Sequence, residues 1–280
     1  MDLRQDIPLY PGGKRKAFTL SYDDGVVQDK KFLELCKQYS LKATFNLNSS
    51  SFGQTDYYPH LKVAHRKIEK EDAVAFYEGF EVACHSLHHP DLSLLDTGAV
   101  CYEVMMDRYQ LETLFGKQIR GFAYPMGNYT KETLTALHSC GIRYARPTAP
   151  TYSFALPENF LAWHPTCHHK DQRLFQLAEQ FLEGKFGKVR LPIFYVWGHT
   201  YEFENDDNWE VIEQLFQLVS GKEDIWYATN GEIYRYVQAW HQLEYSADQS
   251  MIYNPTLVDI WLEIFGKTYK IPAGEQINVQ

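Results

Sequence analysis

This chain lacks any cysteine pattern that would staple it. Its five cysteines, Cys36, Cys84, Cys101, Cys140 and Cys167, are odd in number and stand at unpaired spacings, which excludes a disulfide scaffold and fits a reducing compartment. It also lacks a basic balance. The net charge of −9 gives no positive stripe for a nucleic-acid backbone, so no nucleic-acid partner is expected. No apolar run is long enough to span a bilayer, and Met1-Asp-Leu-Arg-Gln-Asp has no apolar leader core. The expectation is a cytoplasmic protein without a membrane segment, although a chain already trimmed of a leader reads the same. Low-complexity segments, charge blocks and short repeats are missing too.

What is present is a chain of 280 residues, 45% hydrophobic and 15% aromatic, enough to bury one large core. Apolar runs of strand length at 17–22, 43–48, 80–84, 119–124, 142–146, 189–197 and 225–229 alternate with amphipathic stretches at 29–39, 97–115, 130–140, 171–182 and 206–220. Strands joined by helical crossovers imply an α/β fold on a parallel sheet. About seven such units point to a closed or nearly closed barrel over residues 1–242. The remaining residues, 243–280, read as short strands forming a β extension packed on it.

The chemistry concentrates where these runs end. Ser21-Tyr-Asp-Asp-Gly25 closes the first run with two carboxylates and a glycine, and His85-Ser-Leu-His-His-Pro90 follows the third. Neighbouring strand residues face opposite ways, so Asp23 and Asp24 enter one site only if the chain turns sharply at Gly25. Two carboxylates so close repel each other, unless a cation binds one and leaves the other as a base. His85 and His89, four apart, project from one side if the segment is a helical turn, a spacing suited to gripping one ion; His88 then points elsewhere. One carboxylate plus two imidazoles leaves coordination positions open, as catalytic metal sites do. His199, in Trp197-Gly-His-Thr-Tyr-Glu202, ends the sixth run and can donate a proton near neutrality. These groups fall at one end of separate strands, the end that carries chemistry in βα barrels.

These residues resemble the polysaccharide deacetylases, carbohydrate esterases that include nodulation-factor deacetylases. The resemblance covers roughly residues 15–240. Ser21-Tyr-Asp-Asp-Gly25 is similar to the family's Thr-Phe-Asp-Asp-Gly, and His85, Ser86 and His89 are similar to its His-Ser/Thr-x-x-His. The resemblance implies a distorted seven-stranded (β/α) barrel with Asp23 as catalytic base and His199 as acid. Asp24, His85 and His89 would ligate a divalent metal, zinc first and cobalt, nickel, manganese or iron as alternatives. The family's Arg-x-Pro-x-Gly is replaced by Ala123-Tyr-Pro-Met-Gly127. The arginine that pairs with the base is therefore missing from its usual place, and Arg146, ending the fifth run, is the expected substitute. Tyr124, Pro125, Met126 and Gly127 are expected to touch substrate, with the amide near Met126 helping to hold the oxyanion.

Trp163-His-Pro-Thr-Cys-His-His169 offers a second cluster of imidazoles and a thiol. Without a partner group at finger-like spacing it reads as rim, with Trp163 and His168 touching substrate, rather than as a second metal site. The implied reaction is metal-assisted removal of acetyl groups from N-acetylated sugars. The alternatives are hydrolysis of a small amide or ureide, as in allantoinase-like barrels, and an inactive carbohydrate-binding barrel. No pattern in the sequence specifies an oligomeric state.

Overall fold

The computed structural model describes residues 6–279. Its strands begin with β1 (Asp6–Leu9), β2 (Lys16–Asp23), β3 (Thr44–Leu47) and a small hairpin of β4 (Thr55–Asp56) and β5 (His65–Arg66). They continue with β6 (Glu81–Cys84), β7 (Gly121–Ala123), β8 (Tyr144–Arg146), β9 (Cys167–His168), β10 (Ile193–Gly198) and β11 (Ile225–Tyr227). The helices are α1 (Asp29–Gln38), α2 (Ala73–Phe76), α3 (Thr97–Phe115), α4 (Lys131–Ser139), α5 (Leu174–Leu182), α6 (Tyr201–Asn205), α7 (Glu210–Val219) and α8 (Asn230–Trp240). Local chemistry sets several boundaries. The Asp96 side chain caps α3, which ends at a left-handed Gly116, and Thr130 and Thr229 open α4 and α8 with capping boxes.

The parallel sheet runs β8-β7-β6-β3-β2-β10-β9 and curls into a half-barrel, the distorted seven-stranded (β/α) barrel expected. β11 pairs with the start of β2, Ile225 opposite Lys16, while β3 takes the end of the same strand, Asp23 opposite Asn46. Among the described residues no ladder joins β8 to β9. Several elements were not legible in the sequence, among them β1, the β4–β5 hairpin, α2, α6, β9 and α8. β9 is two residues long and lies in the histidine-rich segment, and α8 follows β11 where no helical stretch was read.

All eight residues of β2 are buried, yet the strand alternates. Phe18, Leu20 and Tyr22 join the larger core beneath the helices. Thr19, Ser21 and Asp23 take the opposite face, as a period of two requires, and there form a buried polar column. Asn46 Nδ2 donates to Ser21 Oγ (2.8 Å), and Thr44 Oγ1 donates to Glu81 Oε2 (2.7 Å). The inside of the curl is thus hydrogen-bonded rather than oily, and Asp23 sits at its upper end.

The C-terminal residues add β12 (Glu244–Tyr245), β13 (Met251–Tyr253), β14 (Ile260–Ile264), β15 (Lys267–Ile271) and β16 (Gln276–Asn278). β1, β14 and β15 form one antiparallel sheet, and β12, β13 and β16 another. Ile252, Ile260, Leu262 and Ile271 share a second core with Tyr195, Ile233 and Tyr236, which fixes this appendage to β10 and α8. No helix of the described residues is long and apolar enough to cross a membrane.

Candidate active site

β2 delivers Asp23 to the mouth of the curl, and the chain then turns. Asp24 and Gly25 both adopt left-handed backbone (φ 82° and 63°), which brings Asp24 round to the same side as Asp23. A side chain at Gly25 would meet Leu47 Cδ2 at 2.8 Å, so the turn needs glycine.

Asp23 is 2% exposed. Its Oδ1 accepts from Asn46 Nδ2 (2.7 Å) and Arg146 Nη2 (2.6 Å), and the same guanidinium nitrogen also reaches Oδ2. Arg146, 2% exposed, comes from the end of β8 and lies 4.2 Å over the Trp197 ring. Burial pushes the Asp23 pKa up, but Arg146, His85 and His199 outweigh it and hold the carboxyl below its ordinary value.

Asp24, His85 and His89 converge. Asp24 Oδ1 lies 3.7 Å from His85 Nε2 and 3.9 Å from His89 Nε2, and the two Nε2 atoms are 3.1 Å apart. Ligands about 2.0–2.1 Å from a tetrahedral ion stand roughly 3.4 Å from each other, so the three atoms are spaced to share one. His85 Nδ1 donates to the Ala123 carbonyl (2.8 Å), which leaves the Nε2 lone pair facing His89. Burial lowers the pKa of His85 to about 4 and lowers that of His89 as well, which disfavours the charged form of both rings. A cation answers that arrangement, and these residues fit one.

The two histidines do not meet across a helical turn, contrary to the sequence reading. Ser86 and His89 are both left-handed (φ 65° and 60°), and Ser86 Oγ accepts the His89 N–H (3.0 Å). His88 is held away by Glu103, which accepts from its Nδ1 and its backbone N–H (both 2.8 Å).

His199 follows β10, with Nε2 4.0 Å from Asp23 Oδ2 and Nδ1 donating to Glu202 Oε2 (3.2 Å). Burial lowers its pKa, but the Glu202 hydrogen bond and the nearby carboxylates raise it to about 9. Glu202 itself is held well below the carboxylate range. Its burial is outweighed by hydrogen bonds from His168 and His199.

Several groups around this centre gave no signal in the sequence. His65 Nε2 donates to Asp24 Oδ2 (3.0 Å), and the Lys67 ammonium lies 3.5 Å from Asp24 Oδ1, both from the β4–β5 segment. Asp107 on α3 accepts from the backbone N–H of Ser49 (2.7 Å) and of His85 (3.0 Å), fixing the loops after β3 and β6. Only Glu202 left a trace, as a carboxylate three residues after His199.

Asp23, Asp24, His85, His89 and His199 line one cavity of about 750 Å³, whose wall also includes Tyr58, His60, Tyr124, Met126, Thr148, Trp197 and Tyr201. Met126 is 62% exposed at its mouth, in a turn with Pro125 and Gly127. Gly127 is required, since a Cβ there would fall 2.0 Å from Thr148 Oγ1. Pro125 and Gly127 shape this turn behind the lining residues rather than line the cavity themselves.

Two expected substrate contacts need correction. Trp163 is buried against Phe160 and Tyr195 in the second core, with its backbone N–H donating to the Ala145 carbonyl of β8 (2.9 Å). His168 lies behind His199, with its Nε2 3.1 Å from Glu202 Oε2, and faces the carboxylate rather than the cavity.

The polysaccharide deacetylase family model matches residues 11–145, a segment that ends one residue before Arg146 and well before His199. A curated relative, the uncharacterized protein YlxY of Bacillus subtilis (strain 168), is 29% identical over 133 residues, 46% of this chain and 38% of that protein. The chain therefore spans well under half the length of the curated relative it matches. Among solved structures, a candidate polysaccharide deacetylase from Mycobacterium smegmatis superposes with a TM-score of 0.62 at 15% identity, over 84% of this chain and 94% of that one. The Xyl-CE4 domain of a multidomain xylanase from the hindgut metagenome of Trinervitermes trinervoides gives 0.51 at 16% identity, over 80% and 92%. Both share the barrel fold. The similarity to the polysaccharide deacetylase family thus rests on residues 11–145, just under half of this chain.

Proposed function

We propose that this chain is a metal-dependent hydrolase that removes acetyl groups from N-acetylated sugars, with the chemistry in the barrel (1–242) and residues 243–280 as its β extension. The observation that carries the reading is the convergence of a carboxylate–imidazole triad, an arginine-paired carboxylate and a proton-bearing histidine on one cavity. Asp24, His85 and His89 would hold a divalent ion, zinc first, since two imidazoles and one carboxylate suit it. Such an ion polarises an amide carbonyl and brings the pKa of a water towards neutrality.

Asp23 takes the proton of the attacking water. Arg146, in the place of the family's missing motif arginine, keeps Asp23 ionised and fixed in orientation. The low pKa that results makes Asp23 a weak base, which is why the water must first be acidified. The Met126 amide would help to hold the carbonyl oxygen as it gains charge. His199 protonates the departing nitrogen as the C–N bond breaks, giving acetate and a free amino sugar.

Elemental analysis paired with acetate release from a panel of N-acetylated oligosaccharides tests this reading. One metal per chain with acetate released supports it. Metal without acetate redirects the assignment to small amides or ureides. Failure to bind metal after reconstitution removes the triad from the mechanism.

A further inference from the structure

Between β3 and β6 the chain inserts a segment that the proton-transfer scheme leaves without a task. It carries the β4–β5 hairpin and is fastened to the turn after β2: Ile68 N–H donates to the Gly25 carbonyl (3.0 Å), and Val27 N–H to that of Arg66 (2.9 Å). Its tip then crosses the mouth of the curl. Lys62 N–H donates to Asn205 Oδ1 (2.7 Å) on α6, and the His65 ring meets Tyr201 edge-on at 4.8 Å. The segment therefore arches from the exit of β3, past the exit of β2, to the exit of β10, which are three neighbouring strands of the sheet. Asp24 lies beneath this arch. Its inward side sets Asp56, Tyr58, His60 and Lys67 on the cavity wall. The exposed Met126 and the half-buried Thr148 line the same cavity and belong to other segments, the loops after β7 and β8.

We infer that the site takes the terminal unit of a sugar chain, or a single amido sugar, and not an internal unit of a long polymer. This rests on the acetamido-sugar reading above. A substrate whose amide reaches Asp24 and His199 has the arch beyond it, so a polymer extending both ways would have to pass through the Lys62–Asn205 contact. The wall also offers a carboxylate, a phenol and an imidazole, which suit the free hydroxyls found at a chain end. The rest of the substrate leaves over Met126. Loops of this kind commonly set specificity on a fixed scaffold.

The test maps the products of the intact, metal-loaded protein on β-1,4-linked N-acetylglucosamine oligomers, from the monomer to the hexamer, by mass spectrometry. The expected result is a single acetate lost per oligomer, always from the same end, whatever the length. Acetate lost from interior units overturns the inference and leaves the deacetylase reading intact. Acetate from no member overturns both. Replacing 57–63 by a short Gly-Ser turn supplies a second arm: metal content is retained and interior units become substrates. An arch-less protein that binds metal but stays confined to the chain end also overturns the inference.

Discussion

Among the described residues two histidine–histidine–carboxylate triads stand out, and their imidazoles are oriented differently. In each, the ligand atoms lie within 4.8 Å of one another: Asp24, His85 and His89 at the mouth, and His168, His169 and Glu202 behind His199. Each carboxylate even has a lysine at similar range, Lys67 at 3.5 Å and Lys170 at 3.7 Å. The difference lies in the far side of the imidazoles. His85 donates from Nδ1 to a carbonyl and keeps the Nε2 lone pair. His168 instead accepts at Nδ1 from the Lys170 backbone N–H (3.1 Å), so its proton sits on Nε2, pointed at Glu202. A protonated nitrogen cannot ligate. His169 Nε2, buried and without a hydrogen-bond partner, does not by itself make a site. The hydrogen bond made by the far ring nitrogen, rather than the residue types, separates the two triads.

The largest expected effect breaks the first triad. Asp24→Ala should reduce bound metal from one per chain to none in elemental analysis and cut amide hydrolysis by about a thousandfold, the several kcal/mol a metal supplies. A fully metallated Asp24→Ala protein would mean that the ion sits elsewhere. Next comes Asp23→Asn, which should keep the metal and lose roughly 10²–10⁴-fold in turnover, the usual worth of a positioned base. Full activity in that variant would remove Asp23 from proton transfer.

How much of this was legible in the sequence follows from how local each feature is. The Asp-Asp-Gly turn and the spaced histidines lie within a few residues of a strand end, and the apolar runs marked seven of the eight strands of the parallel sheet. Arg146 was singled out only by its position, because nothing near it in sequence says that its partner lies 123 residues away. The left-handed Ser86 and His89 also escaped, since a His-x-x-x-His spacing reads equally well as a helical turn. Trp163 looked like a rim aromatic because the bond that draws it inward, from its N–H to the Ala145 carbonyl of β8, joins residues with no local pattern in common. His65 and Lys67 reach Asp24 through a hairpin whose strands are two residues each, below any periodicity signal.

The next prediction concerns the carboxylate of the second triad, read as the partner of His199. Glu202→Gln should leave metal content unchanged and shift the alkaline limb of the pH–rate profile to lower pH. Glu202 helps to raise the His199 pKa to about 9, so His199 remains a proton donor through neutrality, and an uncharged partner gives up part of that range. A bound cation would lower the absolute value in both proteins, so the difference between them is the informative quantity. The stability sign agrees. A raised histidine pKa contributes fully below its ordinary 6.5, and that contribution is lost as pH rises through about 9. An unmoved alkaline limb would detach Glu202 from the acid.

The smallest effect tests the comparison most directly. His168→Gln removes one of the donors that hold Glu202 but leaves the His199 Nδ1 and backbone bonds to it in place (3.2 and 3.1 Å). The loss should be about fivefold or less in turnover, the worth of one hydrogen bond, with a minor shift of the alkaline limb. Metal stoichiometry should stay at one per chain, because the donors at the mouth are untouched. If the native protein instead binds two metals and His168→Gln binds one, the proton assigned to His168 Nε2 is displaced by a cation. The two triads would then be equivalent, and the orientation of a single backbone N–H would not be what tells them apart.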